Sequence, residues 1–161
     1  MIRIATSTDG GAIKQIAATA GVFLREEVEC VAELWEEYQK NGADVSGYYF
    51  IVLDDAGDIL GFACYGPRAL TQGTFDLYWI AIDSNKKRKG AGRLLMAQAE
   101  KNITALGGRL VIVETSSKPE YEPTRAFYER IGYLKEAVLK DFYADGDDLV
   151  IYTKKVSPEN P

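Results

Sequence analysis

Asp83-Ser84-Asn85-Lys86-Lys87-Arg88-Lys89-Gly90-Ala91-Gly92-Arg93-Leu94-Leu95 joins a hydrophobic strand to an amphipathic helix. The strand is Phe75-Asp76-Leu77-Tyr78-Trp79-Ile80-Ala81-Ile82-Asp83, and the helix carries apolar residues at Ala91, Leu95, Ala99, Ile103 and Leu106. Between them stand four consecutive cations and two glycines. The first N–H groups of a helix lack intrahelical partners, and the dipole there favours anions. Glycine lets a ligand approach the backbone where a Cβ would block it. Strand, cationic glycine loop and helix together predict a phosphate-binding turn.

Three specific readings of such a turn can be weighed. A Walker A loop needs Gly-x-x-x-x-Gly-Lys-Ser/Thr, and the chain has none. A dinucleotide fingerprint needs a third glycine, but Gly90-x-Gly92-x-x-Leu95 ends in leucine, although Glu114 follows at the spacing of a ribose-binding acid. The elements before the turn read as hairpins rather than βαβ units, and too little chain follows Glu114 for a second nucleotide-binding half. A bare basic tract would leave the paired glycines at a helix start unexplained.

The third reading is a resemblance. Lys87-x-x-Gly90-x-Gly92 resembles the Gln/Arg-x-x-Gly-x-Gly/Ala pyrophosphate loop of the GNAT superfamily of acyl-CoA N-acyltransferases, with Lys87 where that family usually has Gln or Arg. A second block, Arg125-Ala126-Phe127-Tyr128-Glu129-Arg130-Ile131-Gly132-Tyr133, is similar to the family's helix-to-strand segment, Ala-x-x-Phe-Tyr-x-x-x-Gly-Phe. The two stand in the family's order around the strand Arg109 to Thr115.

Composition narrows the chemistry. The chain has 161 residues, 47% hydrophobic and 27% charged, with a net charge of −5. That length and balance predict one soluble domain over residues 1–156 and a frayed tail over 157–161. No apolar run reaches membrane-spanning length, so no membrane partner is expected. The net negative charge argues against nucleic acid. Cys30 and Cys64 fit neither a disulfide framework nor a metal site, which makes a reducing, cytoplasmic setting the default. The absence of histidine removes the commonest general base and zinc ligand, so no metal is expected and Ser-His-Asp or Cys-His chemistry is excluded.

Along the chain the pattern reads as a strand Ile2 to Ser7, a short helix within Asp9 to Gly21, and an amphipathic helix Arg25 to Lys40 that ends at Asn41-Gly42. Strands Tyr48 to Leu53 and Ile59 to Tyr65 meet at a hairpin turn, and Phe75 to Asp83 follows. After the helix Gly90 to Leu106 come strand Arg109 to Thr115, helix Thr124 to Ile131, and strands Tyr133 to Tyr143 and Leu149 to Val156. The order is β-α-α-β-β-β-α-β-α-β-β. It predicts an α/β (α+β) GNAT-like mixed, mostly antiparallel sheet of about seven strands with helices on both faces.

By resemblance, the strands before the phosphate loop and after its helix splay apart, and the pantetheine arm lies between them. Backbone groups of Ile80, Ala81 and Ile82 would meet that arm, with an oxyanion donor near Ile80. The loop Lys87, Arg88, Lys89, Gly90, Ala91, Gly92 and Arg93 would meet the diphosphate of acetyl-CoA. Tyr128 matches the family tyrosine that serves the leaving sulfur as a general acid. Asp76 falls where histone-acetyltransferase members carry a catalytic glutamate, and strict alternation puts it on one face with Tyr78, Ile80 and Ile82. Glu114, at the end of the next strand, would bind a substrate cation or serve as an alternative base. Tyr48, Tyr49, Tyr65 and Tyr78 are possible walls of an acceptor pocket. The implied reaction is direct acetyl transfer to a small-molecule or peptide amine, and a homodimer is compatible with it. A non-catalytic acyl-CoA binding domain is the alternative, and a dinucleotide-dependent oxidoreductase a more distant one.

Overall fold

The hairpin signal Asp54-Asp55-Ala56-Gly57 folds as read: Ala56 and Gly57 both take positive φ, 54° and 94°, as a two-residue hairpin turn requires. It joins β2 (Tyr49–Asp55) to β3 (Asp58–Pro67), and β4 (Thr74–Ile82) follows antiparallel to β3. The computed structural model describes residues 1–21, 23–86 and 89–156. Lys87, Arg88 and the tail 157–161 lie outside these described residues.

The remaining elements are β1 (Ile2–Ile4), α1 (Gly10–Thr19), α2 (Arg25–Ser46), α3 (Ala91–Ala105), β5 (Leu110–Ser116), α4 (Glu122–Arg130), β6 (Leu134–Ala144) and β7 (Asp147–Lys155). They build a seven-stranded sheet in the order β1-β2-β3-β4-β5-β7-β6, in which β4 and β5 form the parallel pair. Two expected boundaries shift. The first strand stops at Ile4, because Ser7–Asp9 makes a single 3-10 turn. The helix from Arg25 breaks at Gly42 (φ 74°, ψ 171°) but resumes for one more turn to Ser46. No helix among the described residues is long and apolar enough to cross a membrane.

Each face of the sheet carries its own apolar core. On one face Ala91, Leu95, Ala99 and Ile103 of α3 pack with Phe75, Leu77, Val111 and Val113, and Tyr128, Tyr133 and Tyr152 extend the layer. Four of the five positions read from the sequence form the buried stripe of that helix, joined by Met96, whereas Leu106 caps the helix and is exposed. On the other face Ile13 and Ile16 of α1 and Val31 and Trp35 of α2 cover Phe50, Val52 and Phe62. Trp35 is seated against α1 so closely that a Cβ on Gly10 would stand 2.4 Å from its indole nitrogen. The start of the chain is tied down by Arg3, whose guanidinium grips both oxygens of Asp9 (2.7 and 2.9 Å) and reaches Asp54 at 2.8 Å.

Two irregularities of β4 position the site. The first is a β-bulge: Cys64 pairs with Trp79 but Tyr65 pairs with Leu77, which leaves Tyr78 unmatched on β3. Alternation inverts there. Phe75 and Leu77 therefore share the α3 face with Ile80 and Ile82, while Tyr78, Trp79 and Ala81 pack toward α1 and α2. The second is divergence. β4 and β5 pair only through Thr74–Leu110, Phe75–Val111 and Asp76–Ile112, and beyond that point the strands separate.

Candidate active site

The divergence leaves Leu77 to Ile82 without β5 neighbours and Val113 to Ser116 without β4 neighbours. Backbone groups directed into the gap are thus free to meet a ligand, since each strand normally satisfies both edges in a ladder. Ile80, Ala81 and Ile82 all lie on this open stretch of β4.

The helix that follows starts at the edge of the gap. Gly90 caps α3 with φ 83°, a conformation in which side-chain-bearing residues are strained, and among the described residues none but its chain neighbours comes within 4 Å of the place a Cβ would take. The first intrahelical bond runs from the Leu94 N–H to the Gly90 carbonyl at 3.0 Å, so the N–H groups of Ala91, Gly92 and Arg93 precede it. Lys89 and Arg93 are exposed beside them. Lys86 pairs with Asp58 and lies 3.9 Å from Asp83, so its charge is already engaged. This fits a diphosphate: helix-start amides without a bond to a carbonyl of the described residues, and positive side chains at the same helix end.

On the α2 side of the gap lies a cavity of about 610 Å³. It is bounded by the first turns of α2 and by the diverging ends of β4 and β5. Asp76 and Glu114 both line it, as the sequence reading requires, but Asp76 does so on the face opposite to Ile80 and Ile82. The expected common face is thereby corrected: the bulge at Tyr78 reverses the alternation between Asp76 and Ile80. Arg68 joins the two acids, its Nη1 donating to Asp76 Oδ1 at 2.8 Å and to Glu114 Oε1 at 3.4 Å. Asp76 is half-buried, and burial raises its pKa above the ordinary carboxylate value while the Arg68 charge pulls it back down. A carboxylate so placed is a stronger base than one in water.

Tyr128 lies elsewhere. It is buried on α4, in the α3-side core, and does not line the acidic cavity. Its hydroxyl has no hydrogen-bond partner among the described residues, and burial pushes its pKa well above the usual phenol value. Thiols ordinarily titrate near ~8.5 and phenols near ~10, so complete proton transfer from this hydroxyl to a thiolate runs uphill. A hydroxyl of this acidity can offer a thiolate a hydrogen bond but not a full proton.

The tyrosines named from sequence divide. Tyr48 and Tyr78 line the acidic cavity, whereas Tyr49 and Tyr65 stack at 5.7 Å beside a second cavity on the β1 side. Sequence reasoning missed Arg68, Glu26, Glu27 and Tyr143, all of which line the acidic cavity. The two glutamates look like the solvated first turn of an amphipathic helix, and Arg68 like a loop residue after Gly66-Pro67. Only the pairing of β3 with β4 brings Arg68 to Asp76.

Comparison with known proteins agrees with this architecture. The model of the acetyltransferase (GNAT) family matches residues 15–133. The uncharacterized N-acetyltransferase YuaI of Bacillus subtilis is 32% identical over 94 residues, which span 57% of this chain and 51% of that protein. The chain thus matches about half the length of this curated relative. A structure from Desulfovibrio desulfuricans, assigned to the acetyltransferases of the GNAT family, is 40% identical, covers 96% of this chain and 98% of its own, and superposes with a TM-score of 0.92. The acetyltransferase yncA from Salmonella typhimurium, solved with its cofactor acetyl-CoA, shares the fold at 16% identity and a TM-score of 0.75, covering 100% of this chain and 96% of its own. With the family model spanning most of its length, the chain belongs to the GNAT acetyltransferase family.

Proposed function

We infer that the chain transfers an acetyl group from acetyl-CoA to a primary amine within a ternary complex. The observation that carries this reading is the divergence of β4 and β5, with free helix amides at one border and the Arg68–Asp76–Glu114 cluster at the other. The α3 amides of Ala91, Gly92 and Arg93 bind the diphosphate, with Lys89 and Arg93 adding field, and Lys87 and Arg88 complete the loop by resemblance. Open backbone groups of Ile80, Ala81 and Ile82 hold the pantetheine arm and an oxyanion near Ile80.

Asp76 takes a proton from the incoming ammonium, directly or through one water, so that the nitrogen lone pair is available. The C–N bond forms at the thioester carbonyl as the C–S bond breaks, and the second proton of the attacking nitrogen passes to the departing thiolate, directly or through water, so that CoA leaves as its thiol. Tyr128 donates a hydrogen bond to the departing sulfur. Arg68 fixes both carboxylates, and Glu114 positions the acceptor. Residues 1–156 act as one catalytic unit in this reading, in a cytoplasmic setting that keeps Cys30 and Cys64 reduced.

The test is thiol release from acetyl-CoA across a broad amine panel, with Gly92→Val as the binding-deficient control. Acceptor-dependent release that the variant loses supports the reading. Binding of acetyl-CoA without release to any amine would favour a non-catalytic acyl-CoA binding domain.

A further inference from the structure

We propose that the acceptor is an amine carrying a second positive charge, which Glu26 and Glu27 receive at the α2 wall of the cavity while the reacting nitrogen sits at Asp76. The proposal rests on the acetyltransfer reading and specifies its substrate class.

Four carboxylates line this cavity against one guanidinium. Their arrangement matters more than their number. Asp76 and Glu114 share the single Arg68 charge, so half of the negative charge in that part of the cavity is compensated. Glu26 and Glu27 are not compensated in this way. They stand in the first turn of α2. Glu27 is held by two donors, the Leu24 N–H at 2.7 Å and the Tyr121 hydroxyl at 3.4 Å, both on Oε2. Its Oε1 remains for a ligand. Glu26 has no ion-pair partner among the described residues.

The walls between the two acidic ends are aromatic. Tyr48 and Tyr78 meet edge to face with centroids 5.5 Å apart, and Trp79 and Tyr143 add two further rings beside aliphatic Leu34, Leu77 and Ile112. Ring faces attract ammonium groups and bury alkyl chains, whereas they offer nothing to an anion. The field is negative across this span. Burial, then the carboxylates of Glu114, Asp147 and Glu27, push the Tyr143 hydroxyl up to about 12. An aliphatic chain with a cation at each end matches this sequence of acid, aromatic wall and acid. An acceptor bearing a carboxylate would have to displace Arg68 from its two partners.

The experiment compares straight-chain diamines with the monoamines of equal length, by thiol release and by calorimetric binding to the full chain. Diamines should exceed monoamines in kcat/KM by about tenfold at low salt, since each partly exposed charge pair and ring contact contributes a modest factor. That ratio should fall toward one in the Glu26→Gln, Glu27→Gln double variant and with added salt. The glutamine at position 27 retains an oxygen for the Leu24 N–H, and an unchanged melting temperature of the variant excludes loss of the helix cap.

Equal kcat/KM for the two series overturns the proposal while leaving acetyl transfer intact. A stronger preference for an α-amino acid, lost in Arg68→Gln, overturns it as well. Absence of thiol release with every amine sinks the acetyltransferase reading instead. In that event the calorimetric Kd values decide: tighter diamine binding that the double variant loses supports the acidic wall, and equal binding overturns it.

Discussion

The ring of Phe127 lies 3.3 Å from the point where a Cβ on Gly92 would stand. The two segments that carry the family resemblance are therefore in contact, one supplying the helix start and the other the aromatic ring that closes beside it. Gly92→Val would drive a branched side chain into that ring and across the helix amides. We expect acetyl-CoA affinity to fall at least about tenfold, measured by calorimetry, because a blocked approach removes several hydrogen bonds of the charge-assisted kind. Pairing the substitution with Phe127→Ala relieves the steric conflict but not the blocked amides, so affinity should stay low in the double variant. Its recovery would mean that ring packing alone explains the glycine.

Tyr128→Phe keeps the ring in the α3-side core and removes only the hydroxyl. Turnover should drop by about tenfold or more while acetyl-CoA affinity stays within about twofold, the pattern of an interaction made only in the transition state. Parent-like kcat would return Tyr128 to a packing role.

Asp76 and Glu114 separate by pH. A base must be ionised, and burial raises the Asp76 pKa, so the rate should rise with pH through a limb above the ordinary carboxylate range. Asp76→Asn should remove that limb, with the deficit largest at low pH and shrinking toward the amine's own pKa. Arg68→Gln should move the limb to higher pH, because the guanidinium is what holds the Asp76 pKa down. Glu114→Gln should act on acceptor KM. Parent-like profiles in all three variants would remove both acids from the mechanism.

Stability near the amino terminus should depend on Asp9. The Arg3 guanidinium first, with the Thr6 backbone and hydroxyl, holds its pKa down at about 2, against an ordinary 3.8. A depressed folded-state pKa gives stability that is present above the unfolded value and lost as pH falls through the folded one. The buried carboxylate thus contributes about 2 kcal/mol at neutral pH, lost between about pH 4 and pH 2. Urea unfolding of parent and Asp9→Asn should differ most at neutral pH and converge in acid. A constant difference across that range would contradict the linkage.

Gly10→Ala tests the seat of Trp35. A Cβ 2.4 Å from the indole nitrogen forces the ring or α1 to move. Overpacking of this kind costs roughly 1–3 kcal/mol, more than alanine's helix propensity returns. A rise in melting temperature would show that the interface yields freely.

Local patterns carried much of this molecule. The hairpin turn, most of the buried stripe of α3, the glycines at its start and the order of elements along the chain were legible, because each is set by residues close in sequence. What was not legible depended on one inserted residue. Nothing in Phe75 to Asp83 marks Tyr78 as unmatched, since the bulge appears only when β3 is laid beside β4. The alternation rule therefore kept Asp76 with Tyr78, which line one cavity, but wrongly joined Ile80 and Ile82 to them. Arg68 escaped for a similar reason. Its role comes from a cross-strand neighbour and from Glu114, far along the chain, and an arginine after Gly-Pro has no local signature. Glu26 and Glu27 were hidden by their own ordinariness at a helix start.

The unmatched Tyr78 also limits how this strand can vary over time. Straightening the bulge with every residue kept would turn either Asp76 toward the α3 core or Ile80 and Ile82 out of it, whereas removing Tyr78 would leave Phe75, Leu77, Ile80 and Ile82 on one face by plain alternation. The first change costs core burial, and the second takes a ring from the cavity wall. The bulge thus holds the cavity residue Asp76 and the core residues Ile80 and Ile82 to opposite faces of one strand, and side chains on either face can be exchanged without disturbing that division.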